Sequence, residues 1–322
     1  MNRFFASMLL VVASVLAANA AAQARFPSKT IGIVVPTTPG GGSDQIARLI
    51  AAKLTEQAAW TVTVVNRPGA SGTLALGEVA GLKSDGHELV IGLGSNMTFA
   101  PALMKLSFDP VGDLVPVAFL ADSPLVALVA ETSPYKTWKE FVDAACRSVR
   151  RFTYGTTGNG TSPHVTAERL RLDHGVRIVH VPYKGSPLAM SDLAGGHIDM
   201  TFASLGAALP LLRSGKLRAL AITTAERSSA LASVPTFAEL GYANFEQPEW
   251  YGLFAPRGIP SAIADEINAE VNNVLALPKV RTAALAQGYQ TRPESRRAFS
   301  KMVQADVRAS KAVVLRAGIK ID

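Results

Sequence analysis

Short apolar runs along the chain alternate with longer stretches of helical spacing. Thr30–Val35, Thr61–Val65, Glu88–Leu93, Arg177–Val181 and Leu217–Ile222 predict strands, whereas Ser43–Gln57, Thr137–Val149 and Ser162–Leu172 predict helices. Strand then helix, repeatedly, predicts an α/β fold with helices layered on sheets. Ile46, Leu49, Ile50 and Leu54 put one apolar stripe on the first helix. Trp138, Phe141, Val142, Ala145, Cys146 and Val149 form another, which makes Cys146 a buried small residue rather than a reactive thiol. Pro260–Asp322 reads mostly as helix: Ile263, Ile267, Val271 and Val274 share a face, and Pro278 limits that element.

Two places break the pattern in a way that divides the chain. Phe119–Ala130 is apolar but interrupted by Asp122-Ser123-Pro124, a turn signal where one strand can leave one lobe and enter another. Phe245–Phe254, FEQPEWYGLF, offers a second crossing. Two crossings imply two lobes, one of residues 25–124 plus 248–322 and one of 125–247, with the C-terminal helices packing back on the first.

Chemistry concentrates where strands turn into helices. Val34–Leu54, VVPTTPGGGSDQIARLIAAKL, runs from a strand through three glycines into a helix with Ser43 or Asp44 as its N-cap candidate. A helix N-terminus has unpaired N–H groups and partial positive charge, and glycines let an anion approach them without meeting a Cβ. Arg151–Leu172, RFTYGTTGNGTSPHVTAERLRL, repeats the design in the other lobe, with Ser162 as N-cap and Pro163 at the first helical position. Two such units can aim two helix ends into one cleft and hold the two ends of a dianion. The donors at hand are Thr37, Thr38, Ser43, Thr156, Thr157, Asn159, Thr161 and His164, with Ser95 and Asn96 from a third loop, Gly92–Pro101.

Composition bounds the compartment and the partners. Arg3, an apolar run from Phe4 to about Ala18 and the small residues ending in Ala22-Gln23-Ala24 predict a signal peptide over residues 1–24, and so a periplasmic protein. The run is short for a membrane span and lacks a basic stop-transfer flank. Cys146 is the only cysteine of 322 residues, so no intramolecular disulfide forms. The net charge of +7 suits anionic ligands, while the scattered basic residues argue against a nucleic-acid partner.

Enzyme signatures are absent. There is no G-x-S-x-G elbow, H-E-x-x-H or Walker G-x-x-x-x-G-K-[ST], and the near miss to G-x-G-x-x-G fails at Met97. The five histidines show no metal-type pairing, so neither cofactor nor metal is expected. A secreted α/β enzyme acting on an anionic substrate stays open as an alternative, with His164 its candidate base.

Several stretches together resemble the Bug-type solute-binding proteins of tripartite tricarboxylate transporters. They include RFPSKTIGIVVPTTPGGGSDQIARLIA, VVNRPGASGTLA, YGTTGNGTSPHVTAE, VHVPYKGSPLAMSDLAGGHIDMTF and VPTFAELG, and they span nearly the whole chain after the leader. The resemblance implies a two-lobed periplasmic-binding-protein fold, type II-like, that closes as a monomer on a small carboxylate and passes it to membrane permease subunits, or reports it to a signalling system. It maps the family's carboxylate-facing glycines to Gly41 and Gly42 and its second loop to Gly155–His164, with Thr161 where serine is usual. Ser204 joins the ligand-binding candidates. Two departures are Thr37, where many members carry an aromatic, and Ala203, where many carry an acid. The missing acid leads to the expectation of a ligand without positive charge, such as a di- or tricarboxylate or an aromatic acid.

Overall fold

A computed structural model describes residues 26–320, and the leader expected over residues 1–24 lies outside them. In chain order the first part comprises β1 (Ile31–Val35), α1 (Gly42–Ala58), β2 (Val62–Asn66), α2 (Thr73–Ala80), β3 (Glu88–Leu93), a π-helical turn (Ser95–Phe99) running into α3 (Ala100–Leu103), and β4 (Leu114–Ser123). The middle comprises β5 (Leu125–Ala130), α4 (Trp138–Arg147), β6 (Phe152–Thr156), α5 (Ser162–His174), β7 (Ile178–Pro182), α6 (Ser186–Ala194), β8 (Met200–Ser204), α7 (Leu205–Arg213) and β9 (Leu217–Ile222). The chain ends in β10 (Glu249–Pro256), α8 (Ser261–Ala276), α9 (Pro278–Ala286) and α10 (Arg296–Ala317).

These strands form two five-stranded sheets, β2-β1-β3-β10-β4 and β7-β6-β8-β5-β9. In each, one strand runs antiparallel to both of its neighbours, and it is the strand that has just crossed from the other sheet: β10 in the first, β5 in the second. The two sheets therefore share one plan.

Alternation along the strands assigns the layers. Ile31, Ile33 and Val35 of β1 pack with Ile46, Ile50 and Leu54 of α1 and with α8, while Val34 points the other way, toward α2 and Phe299 and Val303 of α10. In the second sheet Leu125, Ala127 and Val129 face α4 and α5, and Val126 and Leu128 face α6 and α7. Each lobe thus buries both faces of its sheet. Helix α10 also reaches α5, where Val314, Ala317 and Ile319 pack with Phe99 and Val165.

The two crossings lie side by side and are stitched by one residue. Fully buried Thr223 accepts the Leu125 N–H on Oγ1 (3.0 Å), donates that hydroxyl to Gln247 O (3.0 Å) and donates its own N–H to Leu125 O (3.0 Å). Its carbonyl accepts the Gln247 N–H (2.9 Å), so backbone groups of both crossing segments are satisfied through Thr223.

Three local expectations are corrected. Gly41 caps α1, not Ser43 or Asp44: the Ser43 hydroxyl is paired with Thr37 Oγ1 (2.6 Å), and Asp44, inside the first turn, accepts the Gly40 N–H (2.9 Å). Thr161, not Ser162, occupies the cap position of α5, which puts Ser162 and Pro163 at its first two helical positions. Cys146 is half-buried rather than buried, with Sγ 3.7 Å from Gly175 O, because the stripe on α4 ends at Ala145 and Val149 is 99% exposed.

Thr223→Val keeps the shape but leaves the Leu125 N–H and the Gln247 carbonyl short of a partner. The buried Leu125 N–H left without a partner costs about 1–3 kcal/mol, while the Gln247 carbonyl is only half-buried. Urea unfolding should show a loss in that range, and an unchanged midpoint would show that the crossings do not depend on this hydroxyl.

Candidate ligand-binding site

Between the two sheets lies a cavity of about 420 Å³, a volume suited to a small organic molecule. The carboxyl ends of β1, β3, β6 and β8 open onto it, as expected of parallel strands that turn into helices around a shared crevice.

The glycine loop before α1 is held open from behind. Asp44 accepts the Gly40 N–H, Arg48 Nε (2.9 Å) and Asn66 Nδ2 (2.9 Å), and Asn66 also donates to Thr37 O (3.0 Å). Burial alone would raise the Asp44 pKa, but these hydrogen bonds outweigh it and hold the carboxyl below its ordinary range. Asp44 thus takes the N–H outside the helix, while those of Gly42 and Ser43, in the first turn, have no partner among the described residues and sit at the cavity wall. A Cβ on Gly42 would lie 2.4 Å from Ser204 Oγ and 2.5 Å from the Tyr251 hydroxyl, so these two oxygens close the floor beside it. One on Gly41 would meet Thr37 Oγ1 and Thr38 O at 3.2 Å.

The second loop is built differently. Thr161 Oγ1 donates to Gly158 O (2.8 Å), Thr156 Oγ1 accepts the Gly158 N–H (3.1 Å) and pairs with His180 Nε2 (2.6 Å), and His164 Nδ1 accepts the Gly160 N–H (3.2 Å). The Ser162 N–H, which would otherwise point at a ligand, donates to Ser95 Oγ (2.9 Å). Ser95 in turn donates its hydroxyl to Glu249 Oε2 (2.7 Å) and its N–H to Glu249 Oε1 (3.0 Å). The N-terminus of α5 is therefore already joined, through Ser95, to a carboxyl group of the protein itself.

Thr37, Thr38, Gly41, Gly42, Ser43, Ser95, Asn96, Thr157, Thr161 and Ser204 all line the cavity. Asn96 is anchored by the Leu93 N–H on Oδ1 (2.9 Å), and its Nδ2 would touch a Cβ on Gly72. Thr156, Asn159 and His164 do not line it. They brace the loop from behind, and Asn159 O accepts the Ser71 hydroxyl (2.6 Å) from the other lobe. His164 stacks on His180 (ring centroids 4.3 Å apart) beside a second cavity on the far side of the loop. Burial lowers both imidazole pKa values, that of His180 to about 4. The candidate base of the enzyme alternative is thus outside the cleft.

Ala203 also faces away: β8 turns it into the apolar layer with Val126 and Leu128. The missing acid there leaves the charge of the cleft unaffected, because Glu249 supplies a carboxyl the spacing of motifs did not reveal. Burial pushes Glu249 up to about 7, against the lowering effect of its bonds to Ser95 and Ser162, with nearby Asp306 adding to the rise. Other lining residues outside the sequence expectation are Ser71, Tyr183, Lys184, Ser186 and Tyr251. The alternation EWYG was the available signal, since Glu249 and Tyr251 share the face of β10 turned to the cleft.

A family model described as tripartite tricarboxylate transporter family receptor matches residues 46–319. The chain belongs to that family. BugT of Bordetella pertussis is 33% identical over 298 residues, 89% of each chain. Among solved structures, R. palustris Rpa4515 with adipate is 33% identical with a TM-score of 0.88, covering 92% of this chain and 99% of that one. MatC (Rpa3494) from Rhodopseudomonas palustris, with bound malate, is 33% identical with a TM-score of 0.85, covering 90% and 100%. The receptor has the two-lobed periplasmic-binding-protein fold that its sequence predicts.

Glu249 makes the receptor's stability depend on pH in a defined direction. Its folded pKa of about 7 lies above the ordinary 4.5, so its contribution is full below about pH 4.5 and is lost as the pH rises through about 7. The lowered His164 and His180 act oppositely, costing stability as the pH falls below 6.5. The difference between wild type and Glu249→Gln isolates the carboxyl: urea unfolding without added ligand should show it shrinking by roughly 3 kcal/mol between pH 4.5 and 8. A difference that stays flat would return Glu249 to an ordinary pKa.

Proposed function

We propose that this receptor captures a small carboxylate in the cleft between its lobes, in the periplasm, and delivers it to the membrane subunits of a tripartite transporter. The observation that carries the reading is the floor of the cleft, where the hydroxyls of Ser204 and Tyr251 pack against Gly42 and the N–H groups of Gly42 and Ser43 at the start of α1 have no partner among the described residues. Burial keeps the Tyr251 phenol protonated, so it donates to a carboxylate. Relatives solved with adipate and malate support this ligand class.

The proposal includes the lobe limits 25–124 plus 248–322 and 125–247, a cleaved leader, action as a monomer and release of the cargo unchanged. Support for the limits comes from the crossings at Ser123-Pro124-Leu125 and ahead of Glu249. Glu249 is the one lining acid and is bound to Ser95, so recovery of intact cargo after incubation is the check on turnover.

A thermal-shift screen of residues 25–322 against aliphatic di- and tricarboxylates, aromatic acids, amino acids and neutral controls tests the reading. A carboxylate at 100 times its Kd should stabilise by about 2.7 kcal/mol. Gly42→Val, which drives a side chain into Ser204 and Tyr251, should abolish the shift, and the milder Tyr251→Phe should weaken it. Stabilisation by neutral compounds alone would overturn the carboxylate assignment.

A further inference from the structure

The cleft has one acid and one base among its lining residues, and they stand apart in exposure. Glu249 is 3% exposed at the floor, whereas Lys184 is exposed, on the turn between β7 and α6. Lys184 forms no ion pair or hydrogen bond among the described residues, yet the backbone on either side of it is fixed. Tyr183 donates its N–H to Thr156 O (3.0 Å) and its hydroxyl to Asp192 (2.8 Å). Gly185 packs directly on Thr38 of the other lobe, where a Cβ would lie 2.1 Å from Thr38 Oγ1. That Thr38 hydroxyl is itself buried without a hydrogen-bond partner. An unpaired cation and an orphaned hydroxyl therefore adjoin the same stretch of the cleft wall.

We propose that Lys184 binds the second carboxylate of a dianionic ligand whose first carboxylate lies on Gly42 and Ser43, an assignment that rests on the carboxylate reading above. A dianion stretched from α1 to α5 would bring its far end to Glu249, and at the start of α5 the Ser162 N–H is already taken up by Ser95 while Pro163 has none. The ligand instead runs from the buried floor outward to Lys184. The two helix ends that the sequence suggested as a matched clamp are unequal: one receives cargo and the other is closed by the protein's own carboxyl group.

The test compares straight-chain diacids with the monoacids of equal length, succinate with butyrate and adipate with hexanoate, by calorimetry on the full-length mature protein. Wild type should prefer the diacid. Lys184→Met should weaken diacid binding about fivefold to tenfold and monoacid binding less than twofold, while Lys184→Arg keeps the preference. Since Lys184 is exposed, the ligand-free melting temperature should not move. If Lys184→Met weakens both acids equally, or neither, the assignment of the second carboxylate is wrong although the receptor still binds carboxylates. If none of these four acids binds wild type, the assignment of a straight-chain dianion to Lys184 is wrong, and the wider thermal-shift screen decides the carboxylate reading itself.

Discussion

A helix cannot satisfy its first N–H groups, and around that constraint the cleft is organised. At α1 the protein meets the demand only in part. Asp44 bonds the Gly40 N–H outside the helix, with Arg48 and Asn66 neutralising and steering the carboxylate, so the glycine loop is rigid while the N–H groups of Gly42 and Ser43 are left for something else. At α5 Pro163 has no N–H to offer and that of Ser162 is met from within, by Ser95 and, behind it, Glu249. The same element type at the same place in two sheets of one plan is thus open in one lobe and closed in the other.

Closing α5 in this way also joins the lobes. Ser95 belongs to the first and Ser162 to the second, so their bond crosses the cleft, as do the Ser71 hydroxyl on Asn159 O and Gly185 on Thr38, and away from the cavity Arg213 donates to Ala286 O (2.7 Å) between the lobes. Separation of the lobes breaks these contacts, while the crossings held by Thr223 lie where the chain itself passes over and stay linked through backbone bonds. The structure therefore has a tied edge and an edge held by a few polar contacts together with the small apolar cluster of Phe99, Val165, Val314, Ala317 and Ile319. That division is what a cleft that opens for cargo requires, because each lost contact is worth about 1 kcal/mol and can be exchanged for water.

How much of this is legible in the sequence depends on the kind of signal. Strands β3 and β9 are readable to the residue because their apolar runs end in glycine or in a polar turn, and the crossing at Asp122-Ser123-Pro124 is readable because proline interrupts an otherwise continuous run. The glycine loop and Ser204, expected to face a ligand, both line the cavity. Misplaced are residues whose direction depends on partners far away in sequence. Thr156 and His164 stand on the second loop yet turn from the cleft, because His180 and the Gly160 N–H hold them on its other side. Helix caps shift by one to three residues for a similar reason, since side-chain bonds such as Thr37 to Ser43 compete with capping.

The acid at the heart of the cleft shows the limit most sharply. Position 203 draws attention in the sequence through the family resemblance, which implies an acid there, but in this protein β8 turns that position into apolar packing, and its identity does not set the charge seen by a ligand. Glu249 does, and it is reachable only through the topology that places β10 in the first sheet with Glu249 and Tyr251 on the cleft-facing side. Its burial keeps the proton to about pH 7, and its bonds to Ser95 spend its acceptor capacity on the protein. A fully ionised carboxylate in that place would repel the anion that the α1 N-terminus is open to receive. The raised pKa is therefore consistent with the open helix end: burial weakens the fixed negative charge where a second one is to be bound.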